Sequence, residues 1–364
     1  MKPATYVVLN VNAVQHNLAV VRTFAPNAKI MAVVKANGYG HGLLRIAEAA
    51  QEVDGFGVAR LEEAIQLRQA GFKQRILLLE GFGCLEELQE IAAYQLEAVI
   101  HCFEQIELLE NTRLENIMVW LKLDTGMNRL GFKSSDFTVA YQRLTSCPSV
   151  NPEINFMTHL ANADDKKDGK TLAQIQLFKE TLGDEVKAEC SIANSAGLLA
   201  WQESLTDWVR PGLMLYGISP FPEQTGAQLE LKPVMNLYSR LIAVKQVDAG
   251  ETIGYSGTWT CSKPTRLGVI AVGYGDGYPR HAKNGTPVLV NGKRVPLIGR
   301  VSMDMITVDL TSQPDAKMGD EVMLWGEQLP VEEIALCADT IPYTLVCGIT
   351  RRVHIDVSAT TDLT

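Results

Sequence analysis

Lys35 closes an apolar run, Ile30–Val34, and opens a glycine-rich one, Lys35-Ala36-Asn37-Gly38-Tyr39-Gly40-His41-Gly42. Partial desolvation at the end of such a run disfavours an ammonium and turns the amine into a nucleophile. The glycines allow backbone to approach a ligand closely. Taken alone, a lysine here would more often extend from a strand end into water. It is not alone, because polar groups recur at the ends of other apolar runs. Lys122 and Asp124 end Met118–Leu123, His159 follows Ile154–Thr158, Asn194 and Ser195 follow Ala188–Ile192, and Arg210 ends Asp207–Arg210. If these runs are barrel strands, amine, imidazole, hydroxyl and guanidinium converge on the C-terminal face, where barrel enzymes carry their sites.

The elements that must position these groups are short and regular. Ile30–Val34, Phe56–Ala59, Arg75–Leu79, Glu97–Ile100, Met118–Leu123, Ile154–Thr158, Ala188–Ile192 and Asp207–Arg210 read as strands buried on both faces. Helical patterns lie between them. Leu61, Ala64, Ile65 and Leu67 repeat within Leu61–Ala70, and Leu172, Ile175, Leu177 and Phe178 within Thr171–Leu182. Gly71 and Gly183 stop these helices. Eight strands alternating with helices predict an α/β fold with an N-terminal (β/α)8 TIM-type barrel; an open doubly wound sheet is the competitor. The proline-bearing segment 219–226 breaks the rhythm. After it the runs alternate, and Asn291-Gly292 interrupts Val288–Leu297 as a type I′ hairpin would. The expected division is a barrel over 1–226 and a C-terminal mostly-β domain over 227–364. One helix is expected from Pro342, and the first ten residues form a strand free to pair with either domain.

Composition narrows the class. The chain has 364 residues, 46% apolar and 21% charged, with net charge −9 and no basic stripe, so a nucleic-acid partner is disfavoured. No run is long enough to span a bilayer, and no export signal is visible. Seven widely spaced cysteines fit free thiols and a cytoplasmic location. The six histidines form neither H-E-x-x-H nor a close Cys/His cluster, so no metal is expected. The glycine-rich run lacks the G-K-[S/T] ending of a phosphate-binding P-loop.

The run Val34-Lys35-Ala36-Asn37-Gly38-Tyr39-Gly40-His41-Gly42 resembles the pyridoxal-lysine motif of the alanine racemases. Further blocks follow in that family's order: residues 121–131 (LKLDTGMNRLG), 193–196 (ANSA), 210–212 (RPG), Gly254-Tyr255, 273–278 (GYGDGY) and 299–304 (GRVSMD). The resemblance covers essentially the whole chain. It implies pyridoxal 5'-phosphate as cofactor, a Schiff base on Lys35, and interconversion of L- and D-alanine by two opposed bases, Lys35 and Tyr255. It also implies that His159 and Arg210 stand behind Tyr255, with Arg210 at the pyridine nitrogen. Tyr39, Ser195, Gly212, Leu213 and Tyr343 match phosphate ligands, and Asn194 lies beside them. Arg129 matches the arginine on the substrate carboxylate side, oriented by Lys122, a lysine often carbamylated in the family. Met303 and Asp304 match substrate-side residues of the partner subunit, and Tyr274 a gate residue. The implied assembly is a homodimer with shared sites. Without the resemblance, Lys122 and Asp124 would read as a surface ion pair, Asn194-Ser195 as an ordinary helix cap and Tyr255 as a packed β-domain ring.

Two departures stand near the implied entrance: Gly275 replaces a common alanine and Ser302 a common cysteine. Three other readings compete, one of them a broad-spectrum racemase, a group that is typically exported. A barrel-type pyridoxal-phosphate amino-acid decarboxylase shares the two-domain plan. A non-enzymatic pyridoxal-phosphate homeostasis protein keeps the lysine-bearing barrel but lacks a β domain.

Overall fold

The computed structural model describes residues 3–183 and 187–358; the outermost residues of both expected domains lie outside that range. The chain forms two compact units. One comprises residues 18–38 and 42–215, the other 3–17, 39–41 and 216–358. The change of unit falls at Leu215/Tyr216, ahead of the proline-bearing segment.

The first strand, β1, spans Tyr6–Asn10. Eight parallel strands then close a barrel: β2 Lys29–Val33, β3 Gly55–Val58, β4 Arg75–Leu78, β5 Glu97–Ile100, β6 Met118–Lys122, β7 Asn155–Met157, β8 Cys190–Asn194 and β9 Trp208–Arg210. β9 pairs back onto β2. Met31, Leu77, Val99, Trp120, Met157 and Trp208 form one buried cluster. This double-sided burial is why the strands read as unbroken apolar runs. The seventh strand runs two residues further along the chain than the expected Ala188–Ile192. Ser191 pairs with Trp208 and Asn194 with Arg210, so the ladder extends through polar residues that mask it in the sequence.

The intervening helices sit where periodicity places them, with one shifted face. Lys170–Leu182 buries Thr171, Gln174, Ile175 and Phe178, while Leu172 is 46% exposed. The expected stripe through Leu172 and Leu177 is therefore displaced by a buried glutamine. Gly71 and Gly183 follow their helices with φ of 94° and 75°, the left-handed geometry that ends a helix cheaply only at glycine.

The second unit is built on antiparallel strands β10 Met235–Val247, β13 Thr265–Ile270, β14 Pro287–Val290, β15 Lys293–Pro296, β16 Ile306–Asp309 and β17 Glu321–Trp325, with a small ribbon of β11 Thr252–Ile253 and β12 Trp259–Thr260. β1 lies between β10 and β18 (His354–Ser358), antiparallel to the first and parallel to the second. Asn291 and Gly292, at φ 48° and 74°, turn β14 into β15. Pro342 starts the helix Pro342–Cys347, and a further helix, Val331–Cys337, was not anticipated.

Candidate active site

Backbone past β2 does not continue as ordinary coil. Ala36, Asn37, Gly38 and Tyr39 all have φ between 46° and 60°, a left-handed turn directly after Lys35. Each non-glycine residue in that region costs roughly 1–2 kcal/mol. The turn is held by Gly38 N–H donating to Val34 O at 2.8 Å, Gly42 N–H to Asn37 O at 2.9 Å and Leu43 N–H to Asn37 Oδ1 at 3.0 Å. Strain of this kind, fixed by surrounding bonds, gathers at functional sites. Sequence suggested only glycine freedom here; three of the four strained residues are not glycine.

Around the C-terminal rim of the barrel the structure brings together Lys122, Arg129, His159 and Arg210, with Lys35 in the same electrostatic field. Arg210 is 4% exposed. Its Nη2 donates to Thr158 O at 2.6 Å and Ile192 O at 3.1 Å and faces His159 Nδ1 at 3.5 Å, and its Nη1 donates to Ser191 Oγ. Burial lowers the guanidinium to about 10, so it stays charged at neutral pH. A donor-only group opposite Nδ1 makes that nitrogen the acceptor and leaves the proton on Nε2. His159 is held well below the usual imidazole range, first by burial, then by Arg210, Lys122, Arg129 and Lys35. It is therefore a neutral imidazole presenting an N–H.

Lys122 ends β6 almost fully buried. Burial, then Arg210, Arg129 and Lys35, push its ammonium down to about 8, and only Asp124 among the main contributors opposes them. Asp124 is not its ion-pair partner. Asp124 Oδ2 accepts from Lys133 Nζ at 2.8 Å, and Oδ1 accepts from the N–H groups of Gly126 and Asn128 at 3.0 Å each. The expected surface pair is thus a buried lysine beside a carboxylate that shapes the turn leading to Arg129.

Ser195 opens the helix Ser195–Ala200, capped by Asn194 Oδ1 accepting from Gly197 N–H at 2.9 Å. Ser195 Oγ accepts from Gly212 N–H at 3.0 Å and Met214 N–H at 3.4 Å, placing the hydroxyl against the backbone beside Leu213. The cap reading of Asn194 holds, and Ser195 joins β8 to the turn after β9.

In the other unit Tyr39 is 6% exposed, its ring 4.7 Å from Tyr216 and edge-on to Tyr343 at 5.5 Å. Burial pushes its phenol up, with Tyr343 and Cys347 adding, so it remains a donor. A Cβ on Gly40 would lie 2.2 Å from Val346 O, so only glycine allows this approach. Tyr255 is 69% exposed and follows Gly254 at φ 70°. Tyr274 and Gly275 donate their N–H groups to Ser302 O and Met303 O, which joins the loop of Tyr274 to that of Met303 and Asp304. Asp304 pairs with Arg352 at 2.8 Å, and Arg352 also pairs with Asp276 at 2.7 Å; those pairs hold its guanidinium above the usual range. At Gly275 a Cβ would stand 3.0 Å from that guanidinium. Ser302 Oγ donates to Met305 O at 2.7 Å, tightening the same turn.

Sequence reasoning missed Thr125, Thr158, Gln174, Ser191, Arg352 and Asp276. The signal available for Gln174 was a polar residue at i+3 from Thr171 and i+4 to Phe178 on a helix face. Among the described residues no group of three His, Cys, Asp or Glu side chains could hold a metal, and no helix is long and apolar enough to cross a membrane.

Two family models cover this chain: the alanine racemase N-terminal domain over residues 9–220 and its C-terminal domain over 234–357. The alanine racemase of Vibrio cholerae serotype O1 is 52% identical over 356 residues, 98% of each chain. The biosynthetic alanine racemase of Pseudomonas aeruginosa superposes with a TM-score of 0.95 at 42% identity, covering 98% of this chain and 100% of that one. The enzyme of Bartonella henselae, solved with covalently bound pyridoxal phosphate, superposes at 0.89 with 28% identity, over 98% of this chain and 100% of its own. The closed barrel, the β-rich second unit and the cationic rim thus occur in a chain matched almost end to end, which belongs to the alanine racemase family.

Proposed function

We propose that the protein interconverts L- and D-alanine with pyridoxal 5'-phosphate attached to Lys35. The donor set fits that group. Arg210 supplies a buried, permanently charged donor, Ser195, Gly212 and Leu213 a hydroxyl and backbone cluster, and the rim an excess of positive charge. When bound, the cofactor supplies an electron-withdrawing ring that spreads the charge left on the α-carbon.

The chain's own groups do the rest. Lys35 Nζ removes or returns the proton on one face of the α-carbon, and the Tyr255 phenol, from a partner subunit, does so on the other. His159 stands behind Tyr255 as the neutral imidazole described above. Arg210, being donor-only, would hold the cofactor's ring nitrogen without protonating it. Arg129 faces the substrate carboxylate, with Lys122 beside it to orient its planar fork. A lysine lowered to about 8 carries more neutral amine at physiological pH, the form that a carbamate requires. Tyr39 and Tyr343 are assigned to the phosphate by family resemblance, with Asn194 fixing Ser195. Met303, Asp304 and Tyr274 are assigned to the substrate side and entrance of a shared site in a homodimer. The proposed location is the cytoplasm.

The carrying observation is the set of cations, Lys35, Lys122, Arg129 and Arg210, around a neutral His159 on one rim of a closed barrel. Incubation with L-alanine and cofactor, followed by chiral analysis, should yield a racemic mixture without carbon dioxide release. Carbon dioxide would point to the decarboxylase, and absence of turnover to a homeostasis protein. Borohydride trapping should label Lys35; a label on another lysine would overturn the assignment.

A further inference from the structure

The helix Lys170–Leu182 turns a glutamine inward where its periodicity calls for an apolar residue. Gln174 is 4% exposed and makes three hydrogen bonds through its side-chain amide. Oε1 accepts from Ala161 N–H at 2.9 Å, and Nε2 donates to His159 O at 3.3 Å and to Thr125 Oγ1 at 3.1 Å. The Ala161 bond fixes which end of the amide is oxygen. Since Thr125 Oγ1 accepts from Gln174, its own proton is free for Thr158 Oγ1, 2.8 Å away. The backbone oxygen of Thr158 in turn accepts from Arg210. One side chain therefore grips the backbone after β7 at residues 159 and 161, and through Thr125 meets Thr158, which Arg210 holds from the other side.

From this we propose that Gln174 is a positioning residue for the racemisation, locking the His159 segment so that the imidazole Nδ1 stays against Arg210. Gln174 does not touch substrate or cofactor; it acts through His159, so the inference rests on the reading that His159 backs the second base. A glutamine that merely filled the core would be replaceable by leucine at a cost in stability alone. A positioning glutamine sets the distance between His159 and the cations facing it: Arg210, Lys122, Arg129 and Lys35. Loosening the segment lets the ring swing out of that field and accept a proton at higher pH.

The test uses the holoenzyme with Gln174→Leu, Thr125→Val and, as a conservative control, Thr125→Ser. For each variant kcat and KM are measured from pH 5 to 10 in both directions, and the His159 imidazole is followed by NMR titration. Gln174→Leu and Thr125→Val should lower kcat by about 10- to 100-fold with little change in KM. The acid limb of kcat should move toward neutral pH, and His159 should titrate where the wild type does not. Thr125→Ser should keep wild-type behaviour. A folded Gln174→Leu or Thr125→Val enzyme with an unmoved His159 titration would overturn the inference. A moved titration with unchanged kcat would leave the positioning role standing and refute the part given to His159 in proton transfer. Should Gln174→Leu fail to fold, the Thr125 pair decides alone.

Discussion

The two ends of the barrel handle charge in opposite ways. At the N-terminal end, Arg75 opens β4 with its guanidinium over the rings of Trp120 and Trp208, 5.4 and 4.8 Å from their centres. Glu97 pairs with it through both oxygens, Glu189 pairs with it and with Lys29, and the two indole N–H groups donate to Glu97 and Glu189 at 2.7 and 2.8 Å. Burial pushes Glu189 upward, yet Lys29, Trp208 and Arg75 hold it at about 2. At the C-terminal end no ion pair among the described residues neutralises Lys122, Arg129 or Arg210, and Arg210, Arg129 and Lys35 push Lys122 and His159 toward their neutral forms. The floor is a closed ledger of charge that holds strands together. The mouth carries positive charge that the barrel itself does not match, which reserves room for an anion.

The largest test of this contrast is Lys35→Ala. Turnover should fall by at least about 10³-fold, while stability of the cofactor-free protein in urea should change by less than about 1 kcal/mol. Arg75→Met should do the reverse. It leaves the nearly buried Glu97 carboxylate without its partner, so urea unfolding should show a loss of about 3 kcal/mol, with kcat of the folded fraction unchanged. The pH dependence should follow. The stabilisation from Glu189, whose pKa is lowered by folding, is present above its ordinary value of 4.5 and is lost as pH falls toward about 2; Arg75→Met should flatten part of that decline.

Lys122→Met probes the mouth and should stabilise the cofactor-free protein at pH 7 by about 1 kcal/mol, read as a raised melting temperature. In the wild type the unfolded lysine stays protonated up to about 10.5 while the folded one releases its proton near 8. Stability should therefore climb as pH rises between those values, and the variant should lose the climb. If both ends responded alike, the contrast would fail. The smallest expected effect is Leu172→Ala, within about 0.5 kcal/mol because that side chain is half in water; a loss above 2 kcal/mol would restore the apolar stripe through Leu172.

The barrel was legible because its strands are buried on both faces and need no partner to reveal their period. Lys35, Lys122, His159, Asn194 and Arg210 were legible because strand ends in such a barrel project to one rim. Illegible were the features that depend on what a polar group meets in space. Gln174 reads as a solvent-facing residue until the helix is docked, and Asp124 looks like Lys122's partner until Lys133 takes its place. The left-handed turn at Ala36–Tyr39 contradicts local preference at three residues, so only the surrounding bonds reveal it. The roles assigned to Tyr255, Tyr274, Met303 and Asp304 came wholly from family resemblance.

The placement of β1 constrains how the molecule can be made. Tyr6–Asn10 emerges from the ribosome early, yet one neighbour, β10, begins at Met235 and the other, β18, at His354. At about 5–20 residues per second, about 225 residues of elongation leave both sides of that strand unsatisfied for roughly 11–45 s, and its β18 side stays open for about 350 residues, roughly 20–70 s. The barrel waits less, because β2 is closed by β9, whose last residue is Arg210. Nascent chains stalled just before His354 should therefore carry a finished barrel and a first strand still open on its β18 side, available to pair with a neighbour on the same polysome.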